Sequence, residues 1–258
     1  MRRAIRWSPV GGGVYRVAER DRRRGDGVRL AGRQWRTRVS AVRLGRDSYR
    51  VIRPEHPVVH ASLYEGRYGP RLAVDKAATV DLAFAWWPAA RSPRSLVYLP
   101  VRSGAPTCGE DYGGEGRKLD LVLLHHSLRF PVSRWKQVRA RLAPSAAHTV
   151  TLPPNAFPVF SREEHRTDNH REFKDHLRWA VAADTLFLVG SRLAYEREAD
   201  RVRGLAEDGP AQVVGHPETY CCTEITLGQW KMSAAHQRNP SAELHVDRCH
   251  EHWPAPQR

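Results

Sequence analysis

The run Leu186-Phe187-Leu188-Val189, closed by Gly190-Ser191-Arg192, decides which class of fold this chain can adopt. Four consecutive apolar residues without polar alternation describe a strand buried on both faces. Gly190-Ser191 then breaks the strand, and a serine hydroxyl there can accept a bond from the free amides of a following helix. Behind it Tyr195, Ala199, Val202 and Ala206 recur at helical spacing, giving that helix one apolar stripe. Gly209-Pro210 ends the stripe, and Ala211-Gln212-Val213-Val214 is suited to a second strand. Strand, helix and strand within about thirty residues predict a βαβ unit with parallel strands and a right-handed crossover.

The pattern extends in both directions. Residues 119–124 are an apolar run suited to a buried strand, and Ser133 is placed to cap a helix over 133–143 with Trp135, Val138 and Leu142 on one face. Residues 148–152 alternate as a strand, while Asn169 and Glu172 resemble a capping box ahead of Phe173, Leu177, Ala180 and Val181. Residues 119–258 therefore read as an α/β (or α+β) domain with a His/Cys-rich tail. Residues 56–118 read as β-rich, with strands at 79–85 and 96–101, Trp86-Trp87 in the core, and a glycine- and acid-rich loop over 104–116. Residues 1–55 form an Arg-rich basic segment. Val14–Val17 and Trp35–Val39 alternate like half-exposed strands around a turn that carries Arg22, Arg23 and Arg24. A twisted hairpin and a solvated or disordered arm both suit that segment.

Charge is distributed as unevenly as pattern. The chain of 258 residues carries a net +14, and residues 1–60 alone hold sixteen arginines and no lysine against five acids. Residues 151–258 are mildly acidic. A basic front half attracts phosphate backbones through counterion release, and arginine's planar fork pairs two-pronged with phosphate. A nucleic acid or nucleotide is the expected partner, gripped by Arg22, Arg23 and Arg24. Trp35, flanked by arginine, is the candidate for stacking on a base.

Four irregularly spaced cysteines do not make a disulfide framework. The start has basic residues but no apolar stretch behind them, and the longest apolar run has nine residues where a membrane span needs about 20. A cytoplasmic protein without a membrane partner is the expectation.

Ligands of open parallel sheets collect beyond the carboxyl ends of the strands. Three such ends carry polar groups here: His125-His126-Ser127, Gly190-Ser191-Arg192 and Gly215-His216. One of His125 and His126 would be a general base with His216 as its acid, and Ser191 and Arg192 would hold a phosphate at a helix N-terminus. His125-x-Ser127-Leu128-x-Phe130 also resembles the His-x-Thr/Ser motif of the 2H phosphoesterases. The resemblance spans at most residues 119–227 and implies an α+β fold and cleavage or joining of RNA 2′ linkages and cyclic phosphodiesters. Where that family has its second motif, this chain reads Glu224-Ile225-Thr226-Leu227.

The tail supplies a third chemistry. Cys221 or Cys222, with His245, Cys249 and His252, are thiolate and imidazole donors of the kind zinc favours. Three function classes follow: a polyanion-binding protein, a phosphodiesterase-like or nuclease-like enzyme, and a protein-interaction module with structural zinc.

Overall fold

A computed structural model describes residues 28–66, 69–104, 116–161, 163–165, 175–208, 221–227 and 243–248. The elements in chain order are β1 (Gln34–Leu44), β2 (Asp47–Pro54), β3 (Ala61–Gly66), β4 (Gly69–Val74), α1 (Lys76–Arg91), β5 (Ser95–Leu99) and β6 (Arg117–His125). They continue with α2 (Trp135–Arg139), β7 (Ala146–Thr151), β8 (Arg178–Ala182), β9 (Thr185–Gly190), α3 (Arg192–Glu207), β10 (Cys221–Thr226) and β11 (Glu243–Arg248). Hydrogen bonding joins the strands into one mixed sheet in the order β10-β11-β4-β3-β6-β5-β2-β1-β7, with β9 between β6 and β8. The fold is mixed α/β, dominated by this sheet.

Two hydrophobic cores lie on opposite faces. One holds Trp35, Ile52, Val97, Leu121, Leu123, Leu186 and Leu188 with α1 and α3. The other holds Tyr49, Val51, Leu96, Val122, Leu124 and Phe187 around Trp135 and Phe130. Strand residues alternate between the cores, so β5, β6 and β9 have no wet face. That explains the unbroken apolar run at 186–189 and the run at 119–124, whose one polar residue, Asp120, is buried and bonded to Tyr98 and to the Arg102 backbone.

α1 replaces the strand expected at 79–85. Asp75 caps it by accepting from Ala78 N–H at 2.8 Å. Its many alanines lose little entropy in a helix. It is apolar on nearly every side because it lies between the sheet and α3, where Trp86 meets Tyr195 edge-on at 5.2 Å and donates to its carbonyl. Trp86 is 1% exposed, as a core reading requires.

Two further expectations are corrected. The helix at 133–143 shrinks to α2, which begins at Trp135 behind a 3-10 turn, so Ser133 is not its cap, although Trp135 and Val138 are buried as read. Leu177 through Val181 belong to the approach to β8 and to β8 itself, which pairs antiparallel with β9. Ala183 and Asp184 make the hairpin turn with φ of 48° and 54°. Turns of that hand usually carry Gly or Asn, and neither is present to announce it.

β9 and the Ser191-capped α3 stand as read, with Tyr195, Ala199, Val202 and Ala206 buried. β9's parallel neighbour is β6. Residues 211–214, the expected third member of the βαβ unit, lie outside the described residues. No helix among the described residues is long and apolar enough to cross a membrane.

Candidate functional site

β6 and β9 run parallel with His125 opposite Gly190, so their carboxyl ends deliver His125-His126-Ser127 and Gly190-Ser191-Arg192 side by side. Tyr195, in the first turn of α3, holds the two strands together. Its hydroxyl accepts from Leu124 N–H at 3.0 Å and lies 2.6 Å from the Leu188 carbonyl, to which it donates. Burial pushes that phenol far above its ordinary range. Gly190 is needed for close approach: a β-carbon there would stand 2.5 Å from Leu177 Cδ2 and 3.2 Å from Ala194 Cβ.

At the rim His125 Nδ1 accepts from Ser127 N–H at 3.2 Å and lies 2.8 Å from Ser127 Oγ. That leaves the proton of the neutral ring on Nε2. Partial burial and the neighbouring His126 hold His125 below the usual imidazole range, with Asp175 opposing them. The two rings meet edge to face at 4.7 Å, and His126 is exposed. Ser191 Oγ accepts from Ala194 N–H and donates to Asp175 Oδ2 at 2.6 Å. Arg192 donates to Glu196 Oε1, which also receives Arg91. His125, His126, Ser191 and Arg192 thus share one rim, while His216 lies outside the described residues.

Asp175 joins the rim from the approach to β8, a placement that the strand-end reading did not include.

The Arg-rich front divides in two. Arg22, Arg23 and Arg24 lie outside the described residues. From residue 28 onward Arg29, Arg33, Arg36, Arg43, Arg46 and Arg50 are all exposed, and among the described residues none pairs with a carboxylate. Arg43 and Arg50 sit on the face of the sheet that carries Ile52 and the helices, and Arg50 is in register with Ser95 at the start of β5. One step beyond the Leu96–Leu124 pair, the same row reaches His125 and then Gly190. On the other face Arg36 lines a shallow concavity of about 410 Å³ with Thr37, Glu55, Ala147, His148 and Thr149.

Trp35 is not available to a base. It is 5% exposed, stacks on Phe84 at 6.0 Å and donates from Nε1 to Asp81 Oδ1 at 2.7 Å. At this end of β1 alternating exposure leaves Arg36 wet and Trp35 dry.

In the tail, β10 and β11 pair antiparallel, with Cys222 opposite Asp247 and Glu224 opposite His245. One ligand atom each from Cys222, His245 and Asp247 lies within 4.8 Å of the others. His245 Nε2 is 2.9 Å from Asp247 Oδ1, and this bond, followed by one to Cys222, raises His245 to about 10. Asp247 escaped the sequence reading. The signal was present: His245-x-Asp247 in a strand places both side chains on one face. Cys221 begins β10, whereas Cys249 and His252 lie outside the described residues. Glu224 is remote from His125, because β11, β4 and β3 stand between β10 and β6.

The fold and the rim define a mixed α/β protein with two histidines at the end of one strand, beside a serine and an arginine at the end of its parallel neighbour. No protein-family model matches this chain, and neither does any curated protein or solved structure.

Proposed function

We propose that this protein binds a nucleic acid, or a nucleotide-bearing polyanion, through the arginines of the β1–β2 ribbon and the strand-end rim beside it. The observation that carries this reading is the set of six exposed guanidinium groups between residues 29 and 50 that meet no carboxylate among the described residues. Charge left unpaired in this way is free to replace the counterions of a phosphate backbone. Arg43 and Arg50 lie on adjacent strands about 4.8 Å apart, and Ser95 and His125 continue their row to the rim with neutral polar groups, a track that a single strand can follow.

The test is fluorescence anisotropy of labelled single- and double-stranded oligonucleotides on the full chain, across a series of salt concentrations. Combining R36A, R43A and R50A is expected to weaken binding roughly 100-fold and to flatten the log–log salt slope by about 2 to 3. Unchanged affinity and slope would overturn the reading.

A second reading is favoured by one observation, the imidazole pair His125 and His126 at the end of β6, beside Ser191 and Arg192 at the end of its parallel neighbour β9. A neutral His125 can take a proton from an attacking hydroxyl, and a protonated neighbour can supply one to the departing oxygen of a phosphodiester. H125A and H126A, made singly, are each expected to lower cleavage of RNA or a cyclic nucleotide by at least about 100-fold. Cleavage that survives both changes removes this reading and leaves binding intact.

A further inference from the structure

The β10–β11 hairpin is polar on one face and dry on the other. Ile225, Leu244 and Val246 are fully buried in the same core as α3. The alternate residues Cys222, Glu224, His245 and Asp247 share the opposite face, as strand periodicity requires. Direct cross-strand pairing brings Cys222 to Asp247 and Glu224 to His245, and the diagonal from Cys222 to His245 is within reach of an imidazole. On β4, the parallel neighbour of β11, Arg71 stands beside His245 and small Ala73 beside Asp247.

We propose that Cys222, His245 and Asp247 supply three ligands to a divalent cation of the zinc class. Sulfur, nitrogen and carboxylate oxygen are the donors that zinc takes, at about 2.0–2.3 Å. A tetrahedron of that size separates ligand atoms by about 3.5 Å, so donors already within 4.8 Å need only a small contraction. Ionised thiolate and carboxylate together balance the two charges of the metal.

The surroundings support the same assignment. Arg71 Nε binds Asp247 Oδ2, which fixes the carboxylate and turns Oδ1 toward His245. Partners of this kind orient metal ligands in established sites. Glu224 Oε1 is 3.7 Å from His245 Nδ1 and so flanks the ring on the side away from Asp247. Cys222 is exposed, so a metal has a path in.

The experiment uses the full chain, stripped with chelator and titrated with Zn²⁺ against a chromogenic competitor. Co²⁺ substitution then serves as a spectroscopic probe. About one tight equivalent is expected, together with a thiolate-to-cobalt charge-transfer band. C222S should abolish that band. C222S, H245A and D247N should each weaken Zn²⁺ at least 10-fold without changing the far-ultraviolet circular dichroism. A wild-type chain that binds Zn²⁺ no better than C222S, or a cobalt spectrum lacking the thiolate band, would overturn the proposal. Near-isosteric C222S and D247N keep the test valid if H245A fails to fold.

Discussion

Arginine is abundant in both the β1–β2 ribbon and α3, yet the two regions use it differently. In α3, Arg192 reaches Glu196, Arg201 reaches Glu198, and Arg203 joins both Asp200 and Glu207. On the ribbon, Arg36, Arg43, Arg46 and Arg50 face solvent without a carboxylate among the described residues. Helical i,i+3 and i,i+4 spacing supplies α3 with acids on the same surface, whereas the ribbon's two acids, Asp47 and Glu55, go to Arg134 and Arg38 and leave its other exposed arginines without one among the described residues. The lesson is that guanidinium groups mark a phosphate partner where they lack an internal one.

The sharpest way to break this comparison is to remove equal numbers of arginines from each region. The ribbon triple already described is expected to cost roughly 100-fold in oligonucleotide affinity while melting near the wild-type temperature. R197A, R201A and R203A together, which spare Arg192 at the rim, should leave both affinity and salt slope close to wild type. Equal losses from the two triples would mean that total charge, not unpaired charge, governs binding.

A second effect, of about 3 kcal/mol, separates the ribbon's anchoring from its binding. Burial raises Asp81 to about 6 from its ordinary 3.8, despite the bond it accepts from Trp35. From about pH 4 to about pH 6 the folded chain keeps a proton that the unfolded chain has lost, so stability falls as pH climbs through that window. Above it, the buried carboxylate carries the full cost. D81N keeps an oxygen for Trp35 and removes the charge. Chemical denaturation should show about 3 kcal/mol of added stability near pH 7.5 and almost none near pH 3.5. Oligonucleotide affinity at neutral pH should not move.

The rim gives a smaller effect on the α3 side. Y195F removes the hydroxyl that accepts from Leu124 N–H and donates to the Leu188 carbonyl, both in the buried strand pair. Leaving those groups unsatisfied should cost about 1–3 kcal/mol in denaturation experiments. No change in stability would show that β6 and β9 hold their register without the tyrosine.

How much of this was legible follows from physical pattern. β6, β9 and α3 were readable because burial on both faces, a capping serine and an apolar stripe each leave a mark in one dimension. The rim followed from the strand ends, and His125 and His126 do lie beside Ser191 and Arg192. α1 was misread because enclosure on nearly every side erases helical periodicity, leaving an apolar run that also suits a strand. β8 was misread because its turn is Ala183-Asp184, where left-handed backbone has no glycine to signal it. Partnership across distance was invisible: nothing local announces that Trp35 bonds Asp81 or that Cys222 faces Asp247.

The smallest effect tests how the two regions are joined. Glu207 accepts from the backbone N–H of Leu30 at 2.8 Å through Oε1 and receives Arg203 at 3.0 Å through Oε2. An arginine of α3 therefore steadies the carboxylate that ties down the approach to β1. Arg203 is partly exposed and shares its charge with Asp200, so the ion pairs themselves are worth little. R203A should cost no more than about 1 kcal/mol in global stability. Hydrogen exchange at the Leu30 amide should nevertheless quicken, because the carboxylate then loses the group that aims it. Global stability and Leu30 protection that both stay at wild-type values would show that Glu207 holds the ribbon unaided, and that α3's paired arginines have no part in presenting the unpaired ones.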